Sequence, residues 1–137
     1  MAETKYGKYL AKEPLGKGGL FPIWVANGAT HFEGAEFSMR LHYVTQEHVL
    51  IKEPHKHDFE QFLFFLGANL ADATDFGAEI ELSLGEEGEK HIITAATFVH
   101  LPIGLVHGPL NFKKVYRPVV LLDTLLSAQY TRKEMPR

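Results

Sequence analysis

His55 and His57 stand one residue apart in the run Pro54-His55-Lys56-His57-Asp58-Phe59-Glu60-Gln61, which leads into the apolar stretch Phe62-Leu63-Phe64-Phe65-Leu66. Side chains alternate along a strand with period two, so both imidazoles of an extended His-x-His point to one face. Gln61 lies four residues past His57 and can rejoin that face after a turn or bend. Two imidazoles and an amide carbonyl aimed into one space look like three ligands of a metal ion. A candidate fourth, His107, comes in Pro102-Ile103-Gly104-Leu105-Val106-His107-Gly108-Pro109-Leu110-Asn111, where a tight turn at Pro102-Ile103-Gly104 fixes the strand that projects it. Imidazole suits Mn, Fe, Ni, Cu and Zn alike. Three histidines and one side-chain oxygen leave positions open on a six-coordinate ion for substrate or water. Taken alone, a His-x-His is more readily an exposed strand face; the second run turns the reading to metal.

The two runs resemble the paired motifs of the cupin superfamily. The second matches P-x-G-x-x-H-x-x-x-N at Pro102, Gly104, His107 and Asn111, with Ala96 where a glycine is usual six residues before the proline. The first resembles H-x-H-x(3,4)-E-x(6)-G with departures: Gln61 holds the glutamate position, Val49 stands at the usual leading glycine, and Gly67 comes one residue early. Glu60 is the carboxylate only if the spacer shortens to two residues; Gln61 keeps the ligand on the inward alternation with Leu63 and Phe65. The likeness covers about residues 36–125. It implies an all-β fold, an antiparallel double-stranded β-helix or jelly-roll barrel, preceded by a strand segment over 1–35 and followed by a short tail over 126–137. It also implies one divalent transition metal (Mn, Fe, Ni or Zn) on His55, His57, Gln61 and His107. The implied function is enzymatic: Lewis-acid activation of a small molecule rich in carboxylate, carbonyl or hydroxyl oxygens, in a lyase, isomerase or decarboxylase step. Fe(II)-dependent dioxygenase chemistry and a non-enzymatic ligand-binding cupin are the alternatives. The run His-x-His-x-x-x-Gln is similar, in ligand spacing only, to that of the manganese-dependent hydroxynitrile lyases of this superfamily. A neutral amide in place of glutamate leaves more net positive charge on a bound ion, and hence a stronger Lewis acid toward an anion.

The elements that must position these residues read as β. Phe21–Val25 is a short strand ending at the turn pair Asn27-Gly28, and Leu15–Gly19 is a flexible loop without the spacing of a phosphate loop. Glu36–Val44 alternates, with Phe37, Met39, Leu41 and Tyr43 on one face and Glu36, Ser38, Arg40 and His42 on the other. If the polar face lines the barrel, Arg40 can clamp a substrate carboxylate and His42 can act as acid or base; if it faces solvent, neither does. Phe62–Leu66 is apolar on both faces, which fits a strand between a cavity and a second packed surface. Leu63, Phe65 and His100 are further candidates for the substrate pocket, although core packing for the first two and a structural role for His100 are the plainer readings. Asn69–Gly77 is a polar loop, Ala78–Leu84 alternates with Glu79, Glu81 and Ser83 on one face, the outer one on the plainer reading although one carboxylate can reach the pocket as a general base, and residues 85–90 turn. His91–Thr94, Thr97–Leu101 and Arg117–Asp123 supply further strands. The tail from Ser127 to Arg137 is one helical turn or loose.

Composition bounds the partners. With 137 residues the chain is one domain, and its 45% hydrophobic content is that of a soluble globular protein. A net charge of −3 without a basic block leaves no nucleic-acid footprint. The absence of cysteine excludes disulfides and thiolate ligands. No apolar stretch approaches a membrane span and the N-terminus has no signal-peptide core, so the expected location is cytoplasmic. The outward pair Phe62/Phe64 with the N-terminal strand is the expected seam of a homodimer.

Overall fold

The structure, a computed structural model, describes residues 4–16, 19, 21–131 and 133–134. Its strands are β1 (Ile23–Asn27), β2 (Ser38–Val44), β3 (His48–Ile51), β4 (His55–Lys56), β5 (Gln61–Gly67), β6 (Ala78–Leu84), β7 (Glu89–Ile93), β8 (Thr97–Leu101), β9 (His107–Val115), β10 (Val119–Leu125) and β11 (Lys133–Glu134). One sheet has the order β1-β2-β10-β5-β8, and the other β11-β4-β9-β6-β7 with β3 also on β9. Every pairing is antiparallel. Such a chain buries one phase of each alternating strand against the opposite sheet. Val44, Leu63, Phe65 and Leu121 come from the first sheet, and Ile80, Leu82, Leu110 and Phe112 from the second; all join one core. This is the antiparallel jelly-roll barrel expected from the sequence.

Strand phase follows the side chains. Along β5, Gln61, Leu63 and Phe65 are buried while Phe62, Phe64 and Leu66 are partly covered on the outer face. Along β6, Ala78, Ile80 and Leu82 point inward, and Glu81 lies outside between Lys90 (3.6 Å) and Lys113 (3.3 Å). On β2 the polar face is the inner one: Arg40 and His42 line a cavity between the sheets, and Val44 reaches the core. Of the two readings left open for that strand, the interior one is realised.

Several boundaries differ from expectation. A short helix α1 (Gly28–His31) stands where a plain turn was expected after Asn27. The Asn27 N–H donates to His31 Nδ1 at 2.9 Å, and Ser38 Oγ accepts from the Gly28 N–H at 3.1 Å. The last long strand begins at Val119 and runs to Leu125 rather than spanning 117–123. Pro118 has no N–H to give the ladder, so pairing starts after it. In the loop expected over 15–19, Leu15 pairs with Trp24, whereas residues 17 and 18 lie outside the described residues. At Lys133–Glu134 the tail is neither loose nor helical, because β11 pairs with β4 in the register Lys133↔Lys56, Glu134↔His55. A two-residue strand at a sheet edge exposes unpaired backbone groups, and the tail covers them. Among the described residues no helix is long and apolar enough to cross a membrane.

Candidate metal centre

Two strands and a turn bring the histidines together. β4 pairs with β9 at the single register His55↔His107, which sets the two rings side by side with centroids 4.4 Å apart. His57 follows β4 directly, 4.8 Å from the His55 ring and 5.1 Å from the His107 ring. The Gly104 N–H donates to the His57 carbonyl at 3.0 Å, tying the turn before β9 to the segment after β4. Gly104 has φ +81°, a conformation that L side chains rarely adopt, so glycine at this point of the motif is a backbone requirement.

One ligand atom from each of His55, His57 and His107 lies within 4.8 Å of the others, and all three residues are buried. Each Nδ1 faces a main-chain carbonyl: Glu53 for His55 (3.3 Å), Leu105 for His107 (3.0 Å) and Thr131 for His57. A carbonyl only accepts, so Nδ1 carries the proton and donates, leaving Nε2 with the lone pair that a metal requires. Gln61 begins β5 and is 3% exposed. Its Nε2 donates to Asp123 Oδ1 at 2.7 Å. Its Oε1 is buried with no hydrogen-bond partner among the described residues. An orphaned oxygen in a protein interior is costly. Here it belongs to a residue lining the same cavity as His55 and His107. The donor set of three imidazoles and one amide oxygen fits a divalent transition ion.

The cavity measures about 100 Å³, room for a few water-sized groups or one small molecule. Leu63, Leu110 and Leu121 form apolar wall, while Arg40, His42, Asp123 and Tyr130 supply polar groups. Arg40 Nη2 donates to Asp123 Oδ2 at 2.6 Å, and the guanidinium sits 4.2 Å from the centre of the Tyr130 ring. Burial, reinforced by the Arg40 charge, lowers the His42 pKa to about 4. His42 is therefore neutral at neutral pH.

Other expected site residues lie elsewhere. Phe65 is fully buried in the core against Phe112, off the cavity wall. Its inward phase is that of Gln61, but two pleats deeper. His100 lies on the opposite face of the first sheet, stacked on Phe62 and bonded to Glu60 at 2.9 Å. That contact also takes Glu60 to the outside, since it is one residue out of phase with Gln61. Asp123 and Tyr130 were missed by the sequence reading. The signal for Asp123 was present: in Val119, Leu121, Asp123, Leu125 an acid interrupts an inward apolar phase. No pattern in the tail marked Tyr130.

No family model matches this chain, and no curated protein matches it. Solved structures do. A structure of Bacillus subtilis oxalate decarboxylase, concerned with its Mn(II) centres, superposes with a TM-score of 0.60 at 13% identity over 90% of this chain and 30% of that one. The formate complex of Lactobacillus farciminis oxalate decarboxylase gives 0.59 at 11% identity, over 88% of this chain and 33% of that one. This chain thus spans about a third of the length of each. At such identity the likeness is one of fold, and the fold is that of the cupins.

Proposed function

We propose that this chain is a metal-dependent cupin enzyme acting on a small, oxygen-rich anion, with His55, His57, His107 and Gln61 holding one divalent ion. The observation that carries the reading is the buried Gln61 Oε1, without a partner among the described residues, on the cavity that His55 and His107 also line. All four donors are neutral, and Arg40 and Asp123 cancel each other. A bound ion would therefore keep its full double charge, which favours an anionic substrate. When bound, such an ion supplies Lewis acidity toward the negative charge that develops on a substrate oxygen.

The chain's own residues do the rest. The Leu63, Leu110 and Leu121 walls lower the polarity around the cavity and so strengthen electrostatic interactions inside. Arg40 retains a buried Nε–H with no partner among the described residues, a donor for a substrate oxygen. His42, neutral at pH 7, is suited to accept a proton rather than to give one. These features favour a lyase, isomerase or decarboxylase step, and a cavity of about 100 Å³ suits a molecule of few atoms such as a short carboxylate. The oxalate decarboxylases that share the fold, one of them with Mn(II) centres, supply the first compounds to assay. The outward Phe62, Phe64 and exposed Phe98 support a homodimer through that face; a monomer by light scattering would remove this part.

The deciding experiment is metal analysis of protein purified without chelator, beside His55→Ala and His107→Ala variants. Near-stoichiometric metal in the wild type, lost in both variants, is expected. A wild-type protein that contains none and takes up none on titration overturns the reading. Turnover that requires dioxygen would move it to Fe(II) oxygen chemistry.

A further inference from the structure

The sequence departs from the first cupin motif at Gln61, and the structure holds the counterpart of that departure at Asp123. Resting on the metal reading above, we propose that Asp123 is the positioning residue that makes position 61 a neutral oxygen donor and requires an amide there. Asp123 is 5% exposed and sits on β10 between β2 and β5, opposite Arg40 on one side and Leu63 on the other. Its Oδ2 accepts from Arg40 Nη2 at 2.6 Å and its Oδ1 from Gln61 Nε2 at 2.7 Å. An amide has one donating end and one accepting end. Fixing the donating end on a carboxylate turns the accepting end away from it, to the orphaned Oε1 position.

A carboxylate at position 61 has no donating end. It would meet Asp123 acceptor to acceptor and charge to charge, at hydrogen-bond distance and out of water, with Arg40, among the described residues, the one cation paired with that carboxylate. Like charges so placed are strongly unfavourable. The negative charge that the motif places on the ligand itself is here set back behind the ligand, at Asp123, where Arg40 neutralises it. The pair is chemically reversible. An amide at position 123 can accept from Arg40 through its oxygen and donate through its nitrogen to a carboxylate at position 61.

The test is a double-mutant cycle of wild type, Gln61→Glu, Asp123→Asn and the double variant. Two quantities are measured: urea unfolding of the metal-free protein, and Mn(II) affinity by competition titration. In the metal-free protein each single substitution is expected to raise the unfolding constant tenfold or more, and the double variant to recover most of that loss. Mn(II) affinity is expected to fall about 10- to 100-fold in Asp123→Asn, the range for residues that orient metal ligands, and to return in the double variant to the wild-type value or above. A merely structural Asp123 would move the unfolding and leave Mn(II) affinity alone. Effects that simply add in the metal-free protein, or an Asp123→Asn variant with wild-type Mn(II) affinity, overturn the proposal. If a single variant is too unstable to purify, a double variant that folds and binds Mn(II) supports the pairing, and a double variant that is lost as well overturns it. A wild-type protein that binds no divalent ion sinks the metal reading instead, and the pair is then judged on the metal-free cycle.

Discussion

The two ends of the barrel interior are built from the same strands and the same alternation, yet one is apolar and the other polar. Along β2 the inward positions run Ser38, Arg40, His42, Val44; along β5 they run Gln61, Leu63, Phe65; along β10, in the opposite direction, Val119, Leu121, Asp123, Leu125. Antiparallel register stacks these sequences layer on layer. Val44 pairs with Val119, His42 with Leu121 and Arg40 with Asp123; Phe65 pairs with Leu121 and Leu63 with Asp123. One end is thus filled by Phe65, Phe112, Ile80 and Val44, all fully buried. The other holds the histidines, Gln61, Arg40 and Asp123 around a cavity. The contrast teaches that the apolar end stabilises the barrel, while the polar end gives up part of that stability to keep polar groups buried.

Substitutions can break this division. The largest effect is expected at the apolar end: Phe65→Ala should cost about 3–5 kcal/mol in urea unfolding, through lost burial and a cavity. The metal content of the fraction that stays folded should be unchanged. Metal lost in proportion to stability would mean that the two ends are one unit.

The next effect is the pH response of the polar end. The His42 pKa is lowered from 6.5 to about 4 in the folded chain. Between those values the unfolded chain binds the proton and the folded chain does not. Stability from this group is therefore fully present above about pH 6.5 and is lost as pH falls toward 4, by on the order of 3 kcal/mol. Burial lowers the His48 pKa as well, so it acts in the same direction. His42→Gln in the metal-free protein should flatten the stability–pH slope across that window; an unchanged slope would show that His42 does not stay neutral there.

Smaller effects should come from the C-terminal tail. Tyr130→Ala removes the ring under Arg40 and the contact with His57, at an expected cost of about 1 kcal/mol, read by urea unfolding. Smallest of all is Glu81→Ala on the outer face, where two lysine contacts are solvent-screened and about 0.5 kcal/mol is expected. A loss at Glu81 as large as that at Tyr130 would erase the distinction between interior and surface.

Much of this was legible in the chain. The His-x-His, the Pro-x-Gly turn before His107 and the alternating strands pointed to a barrel and to a set of metal donors, because metal donors and strand periodicity are local properties of sequence. Gln61 could be preferred to Glu60 for the same reason, since neighbours on a strand face opposite ways. His100, for which a structural role was the plainer reading, stayed a pocket candidate because alternation alone does not say which phase of a strand faces in. Arg40 and His42 stayed open between two readings on the same ground.

By itself the sequence determined which residues share a face and which donors are available, through the two-residue period and the chemistry of imidazole and amide. The tertiary structure decided which face is inside, that Asp123 stands behind Gln61 although 62 residues separate them, and that the tail lies across β4. Those outcomes rest on cross-strand register and on the pairing of distant edges, which no local pattern specifies.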